Sequence, residues 1–205
     1  MTIIRYTLLG DGPSDRRLTR VIDWVLGTAT TASTAGAWAD LRFLPQRPRG
    51  LRARVQSAVD YYPCDILFIH RDAERDTHAS RKAEIAQATD PLDLPQTVHV
   101  IPVRMQEAWL LVDEAAIRKA AGNPRGRMRL DLPKVPQLES VSDPKAILTQ
   151  ALRDASGLSG RRLQRLDVGD AASRVADLIS TFAPLRQLAA FRAMEQEVAA
   201  ALSML

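Results

Sequence analysis

Short apolar runs alternate with segments of helical periodicity through the first half of the chain. Ile3–Leu9 is mainly apolar and ends at a Gly-Asp-Gly-Pro turn, and residues 66–69 are continuously apolar. Apolar runs bounded by turn residues are typical of buried strands. A weaker pattern of large apolar residues at positions 38–43 predicts a second strand, and residues 97–103 predict a fourth. We therefore expect four strands before residue 104.

Helical spacing fills the intervals between these strands. Apolar side chains recur three and four positions apart after residue 17, where Ser14 is a candidate N-cap, and similar patterns cover residues 51–62 and 79–89. The segment from 27 to 36 is rich in Thr, Ala and Gly and is predicted to be a loop. Strands that alternate with helices imply a parallel sheet covered on both faces. The predicted fold class is therefore α/β.

The character of the chain changes from Glu107 onward. Residues 109–111 predict a short helix, and Asp113 can cap the next helix, at 114–121. Residues 122–136 are rich in Pro, Gly and Arg and read as a loop, and three further helices are predicted at 144–155, 171–180 and 184–202. We expect an α/β core over residues 1–121 and a helical C-terminal extension over residues 122–205 that packs on the core.

Composition narrows the class of protein. The sequence has 205 residues, of which 46% are apolar and 25% charged, which is typical of one globular domain with an appendage. No run approaches the roughly 20 apolar residues of a membrane span, and the N-terminus lacks the basic segment of a signal peptide. The single cysteine, Cys64, excludes a disulfide framework within the chain. We expect a cytoplasmic protein without a membrane partner.

Arginine dominates the basic residues, since only four of the 28 are lysines. The guanidinium group pairs bidentately with phosphate oxygens, although the bias of a GC-rich genome gives the same excess. Two clusters can follow a nucleic-acid backbone or can simply be solvated loop surface. They consist of Arg47, Arg49, Arg52 and Arg54, and of Arg125, Arg127 and Arg129.

Acidic residues follow three of the predicted strands. Asp11 and Asp15 come after the first strand, Asp72 and Glu74 after the third, and Glu107 after the fourth. Ligands of open parallel sheets bind at the carboxyl ends of the strands, so these side chains are expected to share one edge. Crowded carboxylates raise one another's pKa, and a cation relieves that cost. Oxygen ligands of this type suit Mg²⁺ or Mn²⁺.

Each acid taken singly has a structural explanation. Asp11 fits turn chemistry, Asp15 complements the dipole of a helix N-terminus, and Asp72 stands where a strand ends at polar residues. Their repetition after successive strands favours the metal interpretation. Lys145 begins a helix and is either solvated or a point charge for a phosphate. His70, two positions before Asp72, is a further candidate neighbour of the site.

Two common nucleotide sites are excluded. Gly10-x-Gly12 resembles the start of a dinucleotide-binding motif, but Asp15 occupies the position of the third glycine and would repel a pyrophosphate. The chain contains no glycine-rich loop that ends in Gly-Lys-Ser or Gly-Lys-Thr, so we expect no ATP hydrolysis by that route.

Three motifs, in this order, resemble a known family. Residues 8–15, LLGDGPSD, resemble the signature that opens the TOPRIM domains of overcoming-lysogenization-defect (OLD) nucleases, and residues 66–74, ILFIHRDAE, resemble the second TOPRIM signature. Residues 106–113, QEAWLLVD, are similar to a block in small bacterial proteins grouped as domain of unknown function family 4276. Glu139, Lys145 and the segment FAPL at 182–185 also resemble that family, so the likeness covers most of the chain.

The resemblance implies a TOPRIM-like fold and a divalent-metal site at Asp11, Asp15, Asp72 and Glu74. It implies a Mg²⁺-dependent phosphodiesterase or nuclease that acts with a partner ATPase in bacterial defence. Asp11 would be a ligand or acid/base, Glu107 would join the acidic edge, and Lys145 would neutralise the transition state. The alternative is a non-catalytic interaction subunit with a vestigial acidic site, because Asp11 and Glu74 each depart by one methylene from the usual acids.

Overall fold

The computed structural model describes residues 3–205, and residues 1 and 2 of the predicted core lie outside that range. Four parallel strands form one sheet in the order β2-β1-β3-β4. They are β1 (Ile3–Leu9), β2 (Ser33–Trp38), β3 (Ile66–His70) and β4 (Gln96–Val100). The predicted α/β class with a parallel sheet is confirmed.

Eight α-helices accompany the strands within the described residues. They are α1 (Leu18–Ala29), α2 (Gly50–Tyr61), α3 (His78–Thr89), α4 (Glu114–Ala120), α5 (Pro144–Ser156), α6 (Gly160–Gln164), α7 (Val168–Leu178) and α8 (Ala189–Ser203). Short 3-10 turns occur at Pro13–Arg17, Leu41–Phe43, Gln106–Leu110, Val135–Ser140 and Ala183–Gln187. None of the described helices is long and apolar enough to cross a membrane.

Alternation along the strands divides the core between the two sheet faces. In β3, Ile66 and Phe68 face one apolar cluster, whereas Leu67 and Ile69 face the other. The larger cluster joins the sheet to α1 and to apolar residues of the chain beyond position 122. The smaller cluster lies beneath α2 and α3. The C-terminal helices therefore complete the cover of one face of the sheet.

The second strand differs most from the prediction. It covers residues 33–38, so it begins inside the segment 27–36 that was predicted to be a loop and shares only Trp38 with the predicted strand, whereas residues 41–43 form a 3-10 turn. β2 is an edge strand that is largely exposed, so it carries no apolar alternation. Gly36 fits it to its neighbour, because a Cβ there would lie 2.2 Å from Cζ of the buried Tyr6. The sequence of β2 therefore resembles that of a loop, because the place of this strand in the sheet depends on its pairing with β1.

Two caps were tested by the structure. Asp113 caps α4 as predicted, since its Oδ1 accepts the N–H of Ala116. The prediction that Ser14 caps α1 is wrong, because a 3-10 turn precedes that helix and Arg17 is its N-cap residue. Ser14 instead donates its hydroxyl to Asp15 Oδ1.

The edge strand β4 is protected by helix α8. Oε2 of Glu197 accepts the backbone N–H of His99 at 2.7 Å and lies 2.7 Å from Nδ1 of the same residue. Lys82 of α3 donates to Oε1 of Glu197 at 2.6 Å. A charged side chain on an edge strand's backbone blocks pairing with another chain. These contacts also hold the C-terminal helix to the sheet.

Candidate active site at the carboxyl edge of the sheet

The central strands β1 and β3 are adjacent, with Leu9 paired to Ile69, so the loops that follow them leave the sheet side by side. A cleft of about 390 Å³ opens at this edge. It is lined by all six residues that the sequence predicted as metal-binding or catalytic, namely Asp11, Asp15, Asp72, Glu74, Glu107 and Lys145. The topology therefore brings the predicted set together.

Asp15 organises the loop that follows β1. Its Oδ2 accepts the backbone N–H groups of Asp11 and Gly12, at 2.6 and 2.9 Å. Its Oδ1 accepts the hydroxyl of Ser14 and the amide of Gln106, at 3.2 and 2.5 Å. The carboxylate is buried, and both oxygens are hydrogen-bonded. This pattern is that of a carboxylate that stabilises the loop, a role that differs from the helix-dipole role that the sequence offered as the structural explanation for Asp15.

Asp72 sits among other acids beneath the same surface. Its Oδ1 accepts the backbone N–H of Gln106 at 2.9 Å. Burial raises the pKa of Asp72 to about 6, and the charges of Glu107 and Asp15 add to the increase while His70 opposes it. Raised carboxyl pKa values of this kind are a feature of acid/base sites. Asp72 is thus the acid of the cleft whose protonation changes near neutral pH.

His70 lies at the floor of the cleft and is almost fully buried. Its Nδ1 is 2.9 Å from the carbonyl of Val100, which can only accept, so Nδ1 carries a proton. The other nitrogen, Nε2, is 3.5 Å from Asp72 Oδ1 and 3.8 Å from Asp15 Oδ2. His70 therefore faces two carboxylates from two different loops, as a candidate neighbour of the site should.

Arginines neutralise the acid at the mouth of the cleft. Arg54 of α2 donates to Asp11 Oδ1 at 2.6 Å and also to the carbonyl of Gly10. Nε of Arg71 lies 3.3 Å from Asp11 Oδ2, although it is buried without an aligned hydrogen bond. The sequence placed Arg54 in a cluster that either follows a nucleic-acid backbone or is solvated loop surface, and in the structure its guanidinium turns inward to Asp11.

Two further arginines pair with the remaining acids. Arg81 of α3 donates Nε to the carbonyl of Asp72 and approaches Glu74 at 3.7 Å. Nη1 of Arg17 lies 3.6 Å from Glu107 Oε1, and the side chains of this pair are about nine-tenths buried. The carboxylates thus face guanidinium groups from the start of α1, from α2, from the end of β3 and from α3. These arginines place positive charge beside Asp11, Glu74 and Glu107.

The loops that follow β3 and β4 are joined by an unusual backbone contact. Glu74 and Arg104 are the described non-glycine residues with positive φ, at 53° and 67°. The N–H of Glu74 donates to the carbonyl of Arg104 at 2.7 Å, and the Arg104 guanidinium donates back to the carbonyl of Glu74. Such conformations cost about 1–3 kcal/mol and concentrate at functional sites. They place Glu74 at the rim of the cleft.

Within residues 3–205, no group of three or more His, Cys, Asp or Glu side chains is arranged to hold a metal ion. A different donor is present, however. Oε1 of Gln106 is buried without a hydrogen-bond partner and belongs to a residue that lines the cleft beside Asp72. Mg²⁺ commonly binds one or two carboxylates and keeps several waters. The oxygen donors of Asp72, Gln106 and Glu107 therefore fit a partly hydrated ion rather than a closed protein cage.

The predicted nucleic-acid-binding arginines divide into two regions. Arg47, Arg49 and Arg52 are exposed around the start of α2, and Arg47 lines a groove of about 170 Å³ that shares Asp11 with the cleft. Arg125 and Arg127 are exposed on the loop after α4, and neither lines the cleft. The first cluster is therefore next to the candidate site, whereas the second belongs to the C-terminal extension.

Sequence reasoning missed Gln106 and the arginines at positions 17, 71 and 81. Gln106 stands directly before Glu107 in the motif that was quoted, so its position gave a signal. Arg17 and Arg71 gave none, because their partners Glu107 and Asp11 come from distant segments of the chain. Arg81 pairs with the nearby Asp76 and Glu84, and that local pairing did not indicate its contact with Asp72. Comparisons with family models, with curated proteins and with solved structures found no match to this chain.

Proposed function

We propose that the cleft at the carboxyl edge of the sheet binds Mg²⁺ or Mn²⁺ and hydrolyses a phosphodiester, as a nuclease of TOPRIM type. The observation that carries the proposal is the meeting of Asp11 and Asp72 in one cleft, at the ends of adjacent parallel strands, with Lys145 in the same lining. Acids and bases in one cleft at this edge of an α/β sheet suit a phosphate ester with a cation.

The ion would be held by the carboxylate of Asp72 and by Oε1 of Gln106, with Glu107 or Asp11 as a further oxygen donor. When bound, such an ion lowers the pKa of a water molecule and polarises the phosphoryl oxygen. Asp15 would support this arrangement indirectly, because its own oxygens are engaged by the loop and by Gln106.

The chain's own residues have separate tasks in this proposal. Asp72, whose pKa burial raises to about 6, would be kept ionised by the bound cation and would serve as its ligand. Asp11 is held at the mouth of the cleft by Arg54 and is the candidate ligand or acid/base at the substrate side. Lys145 is exposed, and among residues 3–205 it makes no ion pair, so it is free to meet a phosphate oxygen.

The resemblance to TOPRIM domains and to family 4276 supports the same proposal. The motif acids at 11, 15, 72 and 74 all line the cleft. The shorter acid Asp11 and the longer acid Glu74 stand at the rim, where arginines pair with both. As the resemblance implies, the proposed partner is an ATPase, and the proposed setting is bacterial defence.

A second function, a non-catalytic interaction subunit, is favoured by the arginine pairing. Asp11, Glu74 and Glu107 each lie within 4 Å of a guanidinium group, so the described arrangement compensates its acids without an ion. A site that is stable in this way can remain folded after it has lost its chemistry. Under this alternative the chain would dock on the same ATPase.

Calorimetric titration with Mn²⁺ separates the two functions. The nuclease proposal predicts saturable binding that Asp72→Asn weakens by at least tenfold, together with metal-dependent cleavage of plasmid or single-stranded DNA or RNA that the same variant abolishes. Cleavage is measured with and without an ATPase that co-purifies. Asp93→Asn, at an exposed aspartate that does not line the cleft, is the matched control. Absence of both Mn²⁺ binding and cleavage would select the interaction subunit.

A further inference from the structure

One exposed segment next to the cleft combines aromatic rings with positive charge. Residues 41–54 contain five arginines and no acidic residue. The guanidinium of Arg42 lies 5.5 Å from the ring of Trp38 and 5.6 Å from the ring of Phe43. The ring of Phe43 is the outermost part of this stack, and the residue is 82% exposed, the most exposed of the described large apolar residues. We call Trp38, Arg42 and Phe43 the aromatic platform.

Hydrogen bonds hold Arg42, the central residue of the aromatic platform, in place. Asp40 holds the Arg42 guanidinium by two hydrogen bonds, at 2.7 and 2.6 Å, while its Oδ1 also accepts the backbone N–H of Arg42. Trp38 and Arg42 both line the groove of about 170 Å³, which continues to Asp11. Because Arg42 is already held by Asp40, less side-chain entropy is lost when this surface binds a ligand.

Three of the five arginines in this segment are available to bind a polyanion. Arg42 and Arg54 are paired with Asp40 and Asp11. Arg47, Arg49 and Arg52 are exposed, and none of them forms an ion pair within residues 3–205. Arg47 also lines the groove, so unpaired positive charge lies along the path between the platform and the cleft. A chain of phosphates that carries flat apolar rings matches this surface.

We propose that the aromatic platform stacks an unpaired base of a single-stranded nucleic acid whose backbone runs along Arg47 toward Asp11. The inference rests on the proposed function, which supplies the reaction at the cleft. It adds that the nucleic acid is single-stranded and that Phe43 is the residue that selects a single strand. A base in a duplex has both faces covered by its neighbours, whereas a single strand can offer a face to Phe43. Stacking of this kind is largely independent of base sequence.

The test measures binding without cleavage. Fluorescence anisotropy of labelled 15-nucleotide oligo-dT and oligo-U, and of a 15-base-pair duplex, is recorded in EDTA with the full chain. We expect both single strands to bind more tightly than the duplex. Phe43→Ala should weaken single-strand binding roughly 5- to 150-fold, the range for loss of one stacked base, and leave duplex binding unchanged. A preference of one strand over the other would distinguish DNA from RNA as the source.

Three further variants test the interpretation. Phe43→Trp should restore single-strand binding, since any aromatic face can stack. Tyr61→Ala removes an aromatic that is also exposed, at the other end of α2 and outside the groove, and should leave binding unchanged. Arg47→Gln should lower the salt dependence of single-strand binding by about 0.7 in slope, whereas Phe43→Ala should not alter the slope. Equal binding of duplex and single strand, or no effect of Phe43→Ala, overturns the inference.

A small substrate separates this inference from the proposed function. Hydrolysis of bis(p-nitrophenyl) phosphate with Mn²⁺ requires the cleft but not a stacked base. If that hydrolysis depends on Asp72 while no oligonucleotide binds through Phe43, the proposed function stands and the platform inference is wrong. If single strands bind through Phe43 and no phosphodiester is cleaved, the platform inference stands and the proposal of a nuclease is wrong.

Discussion

Nε2 of His70 lies 3.5 Å from Oδ1 of Asp72, at the floor of the cleft where β3 ends. The two residues are only two positions apart in the sequence, yet each is held by a contact to another segment of the chain. His70 is held by the carbonyl of Val100, and Asp72 accepts the backbone N–H of Gln106. The acid is therefore positioned by β4 and its following loop as well as by its own strand.

Asp72→Asn should stabilise the metal-free protein at alkaline pH. The folded-state pKa is about 6, above the ordinary value of 3.8, so the contribution of Asp72 to stability is fully present below pH 3.8 and is lost as the pH rises through 6. Asn stays neutral and keeps an acceptor for the Gln106 N–H. In urea titrations with EDTA, we expect the gain from Asn to be larger at pH 8 than at pH 4 by up to about 3 kcal/mol.

The control for that experiment is Asp93→Asn, which removes an exposed carboxylate outside the cleft. Equal pH profiles for the two variants would show that Asp72 is not electrostatically strained in the folded protein.

Glu197→Gln should destabilise the protein most at neutral pH. Burial opposes ionisation, but hydrogen bonds from His99 and Lys82 lower the pKa of Glu197 to about 2. Its contribution to stability is present above the ordinary pKa of 4.5 and is lost as the pH falls toward 2. We expect a loss of about 2–3 kcal/mol at pH 7 that shrinks at pH 3, measured by denaturant unfolding.

Glu195→Gln is the matched control on the same helix. Glu195 pairs with Arg186, which is about half exposed, so its loss should cost less than about 1 kcal/mol. A Glu197→Gln variant that unfolds no more readily than Glu195→Gln at pH 7 would mean that the contact with β4 adds nothing to stability.

Gly36→Ala should weaken the pairing of β2 with β1. The added Cβ would stand 2.2 Å from Cζ of Tyr6, whose hydroxyl is held by Asp23 at 2.6 Å, so the ring cannot simply turn away. Overpacking of this kind costs about 1–3 kcal/mol. Gly27→Ala, at an exposed site in α1 with no atom near the new Cβ, should instead raise stability by about 0.5–1 kcal/mol. A thermal melt of both variants checks the opposite signs.

The parts of the fold that a local pattern encodes were predictable. β3 is buried along its whole length and appears as a continuous apolar run, β1 is mainly apolar and is buried from Tyr6 onward, and α1 shows its apolar stripe directly. β2 was not predictable, because half of its residues are exposed and its place depends on backbone pairing and on Gly36. The short 3-10 turn at Gln106–Leu110 is buried along its whole length, so its sequence shows no alternation of apolar and polar residues.

The candidate site was predictable to the same extent and for a related reason. Acids at strand ends reach one edge because the strands are parallel, and that follows from the order of elements. The identity of the basic residues that pair with these acids does not follow from the order of the elements. Arg17 meets Glu107 and Arg54 meets Asp11 across 90 and 43 positions of the chain, and only the packed helices bring these pairs together.

Trp109→Ala should destabilise the protein by about 3–5 kcal/mol. The ring is fully buried and packs edge-to-face on Phe191 of α8 at 5.3 Å between centroids. Trp109→Phe should cost much less, because it keeps an aromatic ring and removes Nε1, a buried donor without a partner. Urea unfolding measures both, and Tyr61→Ala serves as the exposed control. Equal stability of wild type and Trp109→Ala would contradict the burial.

Gln106→Glu should make the stability of the cleft depend on a divalent cation. In the wild type, Nε2 of Gln106 donates to Asp15 Oδ1 at 2.5 Å, and a carboxylate in its place would face that oxygen as a second acceptor. Repulsion between the two acids should lower the melting temperature in EDTA. Added Mn²⁺ should then raise it by more than in the wild type, since a ligand that binds only the folded state stabilises it. Gln187→Glu, at an exposed residue outside the cleft, should show neither effect. A melting temperature of Gln106→Glu that does not respond to Mn²⁺ would argue against an ion at Gln106 and Asp72, because the substitution replaces a neutral amide oxygen by a charged carboxylate, which binds a divalent cation more strongly.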